Sequence, residues 1–278
     1  MNVQKIAAFS DGNSGGNPAG VLIAPEHPSE PEMRRIAAEV GFSETAFAAP
    51  ISEGLWRVRY FSPESEVPFC GHATIALGAA LAMENGDGVF GLKLNDAEIT
   101  VEGRREGELF AAALQSPPTR SAPAPVGLVE AALALFGYAE ADLDPRIPPA
   151  VIHGGADHLV LALASREALA RMKYDLDAGR ELMHGAGLVT IVLAWSETPN
   201  LFHTRNPFAS GGVYEDPATG AATAALAGYL RDLGWPHRGR LDIVQGEDLG
   251  MRSLIHADIP RSPGSSIRVS GTARFLGD

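Results

Sequence analysis

Cysteine is nearly absent from this chain: of 278 residues, only Cys70 carries a thiol. One thiol cannot close an internal disulfide, nor supply a Cys-based zinc site or an iron–sulfur cluster within one chain. Basic residues are also scarce, with 22 Lys and Arg against 34 Asp and Glu and a formal net charge of −12. That balance, with no basic stripe, opposes binding to nucleic acid or to an anionic membrane. Long hydrophobic runs are missing too. The longest, Ala73 to Met83, is too short to span a bilayer as a helix. The apolar run after Lys5 meets Asp11 far short of a signal-peptide core. The eight histidines form no HExxH pair and no helical i,i+4 pair, so no metal site is predicted. The expectation is a cytoplasmic protein, without metal or cofactor, whose partner is a small molecule.

What is present is apolar content, 45% of the chain, enough for a sizeable core and for more than one domain. Four prolines between Ser116 and Pro125 predict an extended linker. We divide the chain there, into residues 1–117 and 118–278, with a last strand able to return to the first half. Strand-like runs at Val3–Phe9, Leu55–Phe61, Glu98–Val101 and Glu108–Leu114 precede the division. Others at His158–Leu163, Val189–Trp195, Leu241–Gln245 and Ser253–Ile259 follow it. Helical patterns intervene, and both halves read α+β.

One helix is well marked. Ser29 and Glu32 have capping-box spacing, Met33, Ile36, Ala37 and Val40 recur at helical period, and Gly41 stands where a C′ glycine belongs. The following Phe42–Ala48 reads as a strand, whose period of two puts Phe42, Glu44, Ala46 and Ala48 on one face. Glu44 is the charged member of that face. It reads either as a solvated or salt-bridged carboxylate or, if the face turns inward, as a general base.

Two other helical stretches, Ala73–Met83 and Gly220–Leu230, carry no charge on any side and are therefore expected to be buried all round, with strands wrapped about them. They also resemble each other. Setting Gly71 on Gly220 aligns Ala73, Thr74, Ala76, Leu77 and Leu81 with Ala222, Thr223, Ala225, Leu226 and Leu230. A shift of two, placing Cys70 opposite Pro217, is equally acceptable. In each half a glycine pair (Gly15-Gly16, Gly154-Gly155) leads into a strand, a helix, a strand and the apolar helix, which reads as a duplicated unit.

The starts of the two apolar helices are candidate sites for a carboxylate or a developing negative charge, because unpaired N–H groups and the positive dipole end lie there. Pro68-Phe-Cys-Gly-His-Ala-Thr74 and Glu215-Asp-Pro-Ala-Thr-Gly-Ala221 both bring small residues to such a start. Each residue also has a plainer role. Asp216-Pro217 reads as an N-cap followed by Pro at N1, His72 as a cap or as an acid, and Cys70 as a small core residue, with a reactive thiol as the alternative.

Taken together, Gly15-Gly-Asn-Pro-Ala-Gly-Val21, Phe42-Ser-Glu-Thr-Ala-Phe47, Arg59-Tyr-Phe-Ser-Pro63 with Pro68–Thr74, Glu215-Asp-Pro-Ala-Thr-Gly220 and Gln245-Gly246 resemble, in order, the PhzF-like phenazine-biosynthesis family. The resemblance implies a diaminopimelate-epimerase-like fold: two pseudo-symmetric domains, each a β-barrel-like sheet around a central apolar helix. It implies a cofactor-independent isomerase, with a homodimer as the family's assembly. Glu44, His72 and Asp216 match the family's catalytic positions. Gly71, Ala73, Gly220 and Ala221 fall where the substrate carboxylate is bound. This chain departs from the pattern at Ala221, where many members have Ser, so the phenazine precursor is not carried over as its substrate. Cys-Gly-His also resembles the proline-racemase end of the fold, but those enzymes need two thiols and this chain has one.

The function expected is a proton or double-bond shift on a small carboxylate-bearing metabolite, with Glu44 as the base. The reading from another class is a non-catalytic metabolite- or protein-binding member of the same fold. Solvent deuterium entering a bound small acid separates the two.

Overall fold

The computed structural model describes residues 2–95 and 97–277. The chain divides into two compact units, Met1–Gln115 with Ser270–Asp278, and Ser116–Val269. The first contains β1 (Gln4–Ala8), β2 (Asn17–Ile23), α1 (Glu30–Val40), β3 (Thr45–Ser52), β4 (Leu55–Phe61), β5 (Glu66–Val67), α2 (Gly71–Asn85), β6 (Gly88–Lys93), β7 (Glu98–Glu106) and β8 (Leu109–Gln115). The second contains β9 (Arg120–Pro123), α3 (Val126–Phe136), β10 (Ala150–His153), β11 (Asp157–Ala162), α4 (Arg166–Ala170), α5 (Leu176–Ala186), β12 (Thr190–Thr198), β13 (Leu201–Phe208), β14 (Val213–Asp216), α6 (Gly220–Asp232), β15 (Arg240–Gln245) and β16 (Ser253–Asp258). The last strand, β17 (Arg268–Phe275), pairs with β1 and β8, and its residues from Ser270 onward belong to the first unit.

In the first unit β1, β2, β3, β4, β6, β7, β8 and β17 pair in a ring, a closed barrel of eight strands. The α2 helix packs against β1, β2, β3, β6, β7 and β8. Its residues His72 through Ala82 are all buried, as a helix without a polar face requires. Ile75, Leu77 and Leu81 are fully enclosed, each contributing about 1.5–3 kcal/mol by leaving water. Small residues let the backbones approach. A Cβ on Gly103 of β7 would stand 2.2 Å from the carbonyl oxygen of Gly78 in α2, so no larger residue fits there.

The second unit repeats the pairing order. In the first, β1–β2 is antiparallel, β2–β3 parallel, β3–β4 antiparallel, β4–β6 parallel and β6–β7 antiparallel. In the second, β10–β11, β11–β12, β12–β13, β13–β15 and β15–β16 follow the same alternation. Both apolar helices lie in the second parallel crossover. They begin at Gly71 and Gly220, which favours the alignment of those two glycines over the shift by two.

Three local expectations are corrected. Residues 116–125 are not a free linker: Arg120–Pro123 pairs antiparallel with β10, and Ser116 and Thr119 are buried. Proline removes a donor without preventing extended pairing at a strand end. Ser29 does occupy the N-cap of α1, yet its side chain makes no capping bond, and the Glu32 carboxylate pairs with Arg35 at 2.6 Å. Gly41 closes that helix in the left-handed region, φ 72°. Finally, β3 starts at Thr45, one residue after Glu44, and Thr45 through Ala49 are buried on both faces. Phe47 packs outward with Met33 and Ile36 of α1, and α2 packs against the same strand.

Candidate active site

The first candidate group stands where α2 begins. A buried relay fixes that start: the Tyr60 hydroxyl donates to Thr74 Oγ1 at 2.7 Å, and Thr74 in turn donates to the Cys70 carbonyl at 2.7 Å. Burial pushes the Tyr60 phenol well above its ordinary range, which keeps it a neutral donor. Cys70 is the N-cap of α2, and its side chain makes no capping bond to the first N–H groups of the helix. His72, in the first turn, is buried. Its Nε2 lies 3.4 Å from Glu44 Oε2 and 3.4 Å from Ser43 Oγ, and its Nδ1 lies 3.3 Å from Cys70 Sγ.

Glu44 reaches this group from the segment just before β3. Its carbonyl accepts from Gly20 N at 3.1 Å, which ties it to β2. Its side chain keeps 14% of its surface exposed, against 7% for His72. The carboxylate is thus the wetter member of the pair and the imidazole the drier. Gly71 is half-buried and Ala73 fully buried beside them.

The second group, within the other unit, lies between β14 and α6. Here the expectation that Asp216 caps the helix is corrected. Asp216 ends β14, and the N-cap of α6 is Thr219, again without a side-chain capping bond. The Thr219 hydroxyl donates to Asp216 Oδ2 at 2.5 Å. Gln245, 1% exposed, holds the turn between them: Nε2 donates to Asp216 O (2.7 Å) and Thr219 Oγ1 (3.0 Å), and Oε1 accepts from Thr219 N (3.2 Å). Gly220 is buried and Ala221 half-buried in the first turn. A Cβ on Gly246 would stand 2.5 Å from Met251 O and 2.7 Å from Pro217 O, and its φ is 72°. Glycine is therefore required after Gln245 on two counts.

Immediately before Asp216, Glu215 forms a buried ion pair with Arg205, Nη2 to Oε2 2.5 Å and Nε to Oε1 3.0 Å. The remaining guanidinium nitrogen donates to Ala170 O at 3.1 Å and Met172 O at 3.3 Å. Burial acts to lower the Arg205 pKa, but the hydrogen bonds and charge of Glu215 outweigh it and hold the group above its ordinary value. The segment leading into Asp216 is thus clamped on both sides.

The fold brings Glu44 and His72 together from distant stretches, with Gly71 and Ala73 beside them, and groups Asp216 with Gly220 and Ala221. Cys70, read from sequence as core, is buried and also touches the His72 ring. Ser43, Thr219 and Gln245 were visible only within motifs, and the Arg205–Glu215 pairing was not anticipated. Chemically, the first group offers a carboxylate and an imidazole for proton transfer beside a helix N-terminus, and the second offers a carboxylate that accepts from a threonine hydroxyl.

The family model described as phenazine biosynthesis-like protein matches residues 6–277. The chain is 31% identical to an uncharacterized isomerase of Deinococcus radiodurans, covering 92% of this chain and 85% of that one. It is 30% identical to trans-2,3-dihydro-3-hydroxyanthranilate isomerase of Pseudomonas aeruginosa, over 95% and 91% of the two chains. Among solved structures it is similar to a predicted epimerase from Pseudomonas aeruginosa, with TM-score 0.86 and 24% identity over 99% and 96% of the chains. No helix among the described residues is long and apolar enough to cross a membrane.

Proposed function

The chain belongs to the phenazine biosynthesis-like (PhzF-like) protein family, and from that premise we propose that it is a cofactor-independent isomerase acting on a small carboxylate-bearing metabolite. Glu44 removes a proton from carbon and returns it elsewhere, shifting a double bond. The observation that carries this reading is the Glu44–His72 contact, 3.4 Å, at the start of a buried helix. A carboxylate there is within reach of solvent and substrate, while the imidazole behind it holds or relays the proton. The helix N–H groups and Gly71 receive the substrate carboxylate or the charge that develops when the proton leaves. Asp216, with Gly220 and Ala221, is assigned a supporting role in positioning substrate. The duplicated pairing order supports a fold of two pseudo-symmetric domains, and a homodimer is the assembly proposed.

That several relatives are named isomerases supports the reaction class. The test is solvent deuterium incorporation into a panel of small carboxylic acids that includes trans-2,3-dihydro-3-hydroxyanthranilate, followed by mass spectrometry for the wild type, Glu44→Gln, His72→Asn and Asp216→Asn. Exchange that disappears in Glu44→Gln while the ligand still binds is the expected outcome. Exchange that persists in Glu44→Gln and disappears in Asp216→Asn moves the base to the second group. Tight binding of a panel member with no exchange in the wild type makes the protein a binding module.

A further inference from the structure

Three different metal-binding side chains meet at the start of α2, against the expectation from the sequence of no metal site: a single thiol suffices once a histidine and a carboxylate join it. Cys70 Sγ lies 3.3 Å from Nδ1 and 4.0 Å from Nε2 of His72. Glu44 Oε2 lies 3.4 Å from Nε2. One donor atom from each of the three residues lies within 4.8 Å of the other two. We propose that this trio binds a borderline-soft divalent cation, Zn²⁺ foremost, through the Cys70 thiolate, one His72 ring nitrogen and a Glu44 carboxylate oxygen, leaving a fourth position to solvent.

The separations fit. Zinc bonds of about 2.0–2.3 Å in a tetrahedron put neighbouring ligand atoms about 3.3–3.8 Å apart. With Nε2 as the ring donor, Glu44 Oε2 at 3.4 Å already meets that range, Cys70 Sγ at 4.0 Å has to close by a few tenths of an ångström, and its 3.3 Å contact is with the other ring nitrogen. Donor chemistry selects the metal: thiolate and imidazole suit Zn²⁺, whereas Mg²⁺ and Ca²⁺ require oxygen ligands. Charge also balances, because a thiolate and a carboxylate together neutralise a divalent ion. Cys70 and His72 are 9% and 7% exposed, so the ion would sit in a dry setting that strengthens both attractions. The partly exposed Glu44 gives an entry path. On binding, the Cys70 thiol releases its proton to solvent and no electron is transferred.

One consequence rests on the function proposed above: an ion held here occupies the base, so zinc is a reversible inhibitor. The site itself rests on the three donors alone. The experiment therefore reads the ligand set without turnover. Co²⁺, as a coloured stand-in for Zn²⁺, is titrated into the metal-free full-length protein. The expected result is saturable one-to-one uptake with a thiolate-to-cobalt charge-transfer absorption in the near ultraviolet, displaced by Zn²⁺. Cys70→Ser should lose the absorption, and His72→Asn and Glu44→Gln should each weaken uptake roughly tenfold or more. A wild type showing no such absorption, or an absorption that survives in folded Cys70→Ser, overturns the proposal. Should Cys70→Ser fail to fold, a second measurement decides: Zn²⁺ should slow the reaction of Cys70 with a thiol reagent in the wild type and do so far less in Glu44→Gln. Equal protection in both proteins overturns it.

Discussion

At the start of α2 the side chains gathered about the helix end are ionisable: a carboxylate, an imidazole and a thiol, with hydroxyl groups behind them. At the start of α6 the Asp216 carboxylate accepts from a threonine hydroxyl, and a buried glutamine amide holds that hydroxyl and the Asp216 backbone carbonyl. The two helices share their length of apolar surface, their glycine start and their place in the strand order. What differs is whether protons can move. A neutral amide and hydroxyl fix geometry without titrating near neutral pH, whereas a carboxylate beside an imidazole exchanges a proton readily. The difference suggests one end specialised for chemistry and the other for shape.

The largest expected effect tests that division directly. Glu44→Gln should lower proton exchange by about 10²–10⁴ or more, and Asp216→Asn and His72→Asn by less. Equal losses at Glu44 and Asp216, measured at equal ligand occupancy, would break the comparison. Next in size is the clamp before Asp216. Arg205→Met leaves Glu215 charged and fully enclosed, at a cost of about 3–5 kcal/mol read from urea unfolding. Adding Glu215→Leu should recover most of it, since a packed apolar pair can replace a buried ion pair.

A third effect is acid sensitivity in the second unit. Burial, above all, lowers His158 from 6.5 to about 4, with the charge of Asp157 opposing and that of His153 adding. Its Nδ1 stands 2.7 Å from Thr190 Oγ1. The unfolded chain takes up this proton below about 6.5 and the folded chain only below about 4, so the stability from the neutral ring is complete above 6.5 and is lost as pH falls through that window. The loss is roughly 3 kcal/mol by pH 4. His158→Asn, which keeps a donor towards Thr190, should show a shallower fall in urea midpoint between pH 7 and pH 4.5 than the wild type does. The smallest effect belongs to the glutamine. Gln245→Met strands the Thr219 N–H and the Asp216 carbonyl, costing about 1–3 kcal/mol, and hydrogen exchange at Thr219 should quicken while the α2 start stays unchanged.

Much of this was legible in the sequence because it follows from period and punctuation. Leu55–Phe61 and Ser253–Asp258 read as strands, and Gly41 as a helix stop. The apolar helices announced their burial by lacking any charge. The misreadings share one cause, which is that local grammar cannot see a partner. Ser29 and Glu32 have the spacing of a capping box, but the Glu32 carboxylate pairs with Arg35. The prolines near Ser116 forbid a helix and say nothing of the strand that pairs with Arg120–Pro123. Glu44 and His72 stood out singly as candidates, but nothing in their spacing foretold that the Cys70 thiol would join them. Glu215 was visible as part of a motif, but its pairing with Arg205 gave no signal, since a buried pair ten residues apart resembles any surface pair.

The strand β17 has a consequence for how the protein is made. It fills the gap between β1 and β8, so the barrel begun by β1 is completed only by residues made after β16. Until they leave the ribosome, two strand edges stand open, each a template for pairing with another chain. The contact between Ser10 and Thr272, 2.9 Å from N to O across 262 residues, is of the kind that slows folding. The first unit is thus a slow closure in time as well as a ring in space, and a ribosome stalled before Arg268 would hold a nascent chain with the seam of its barrel exposed.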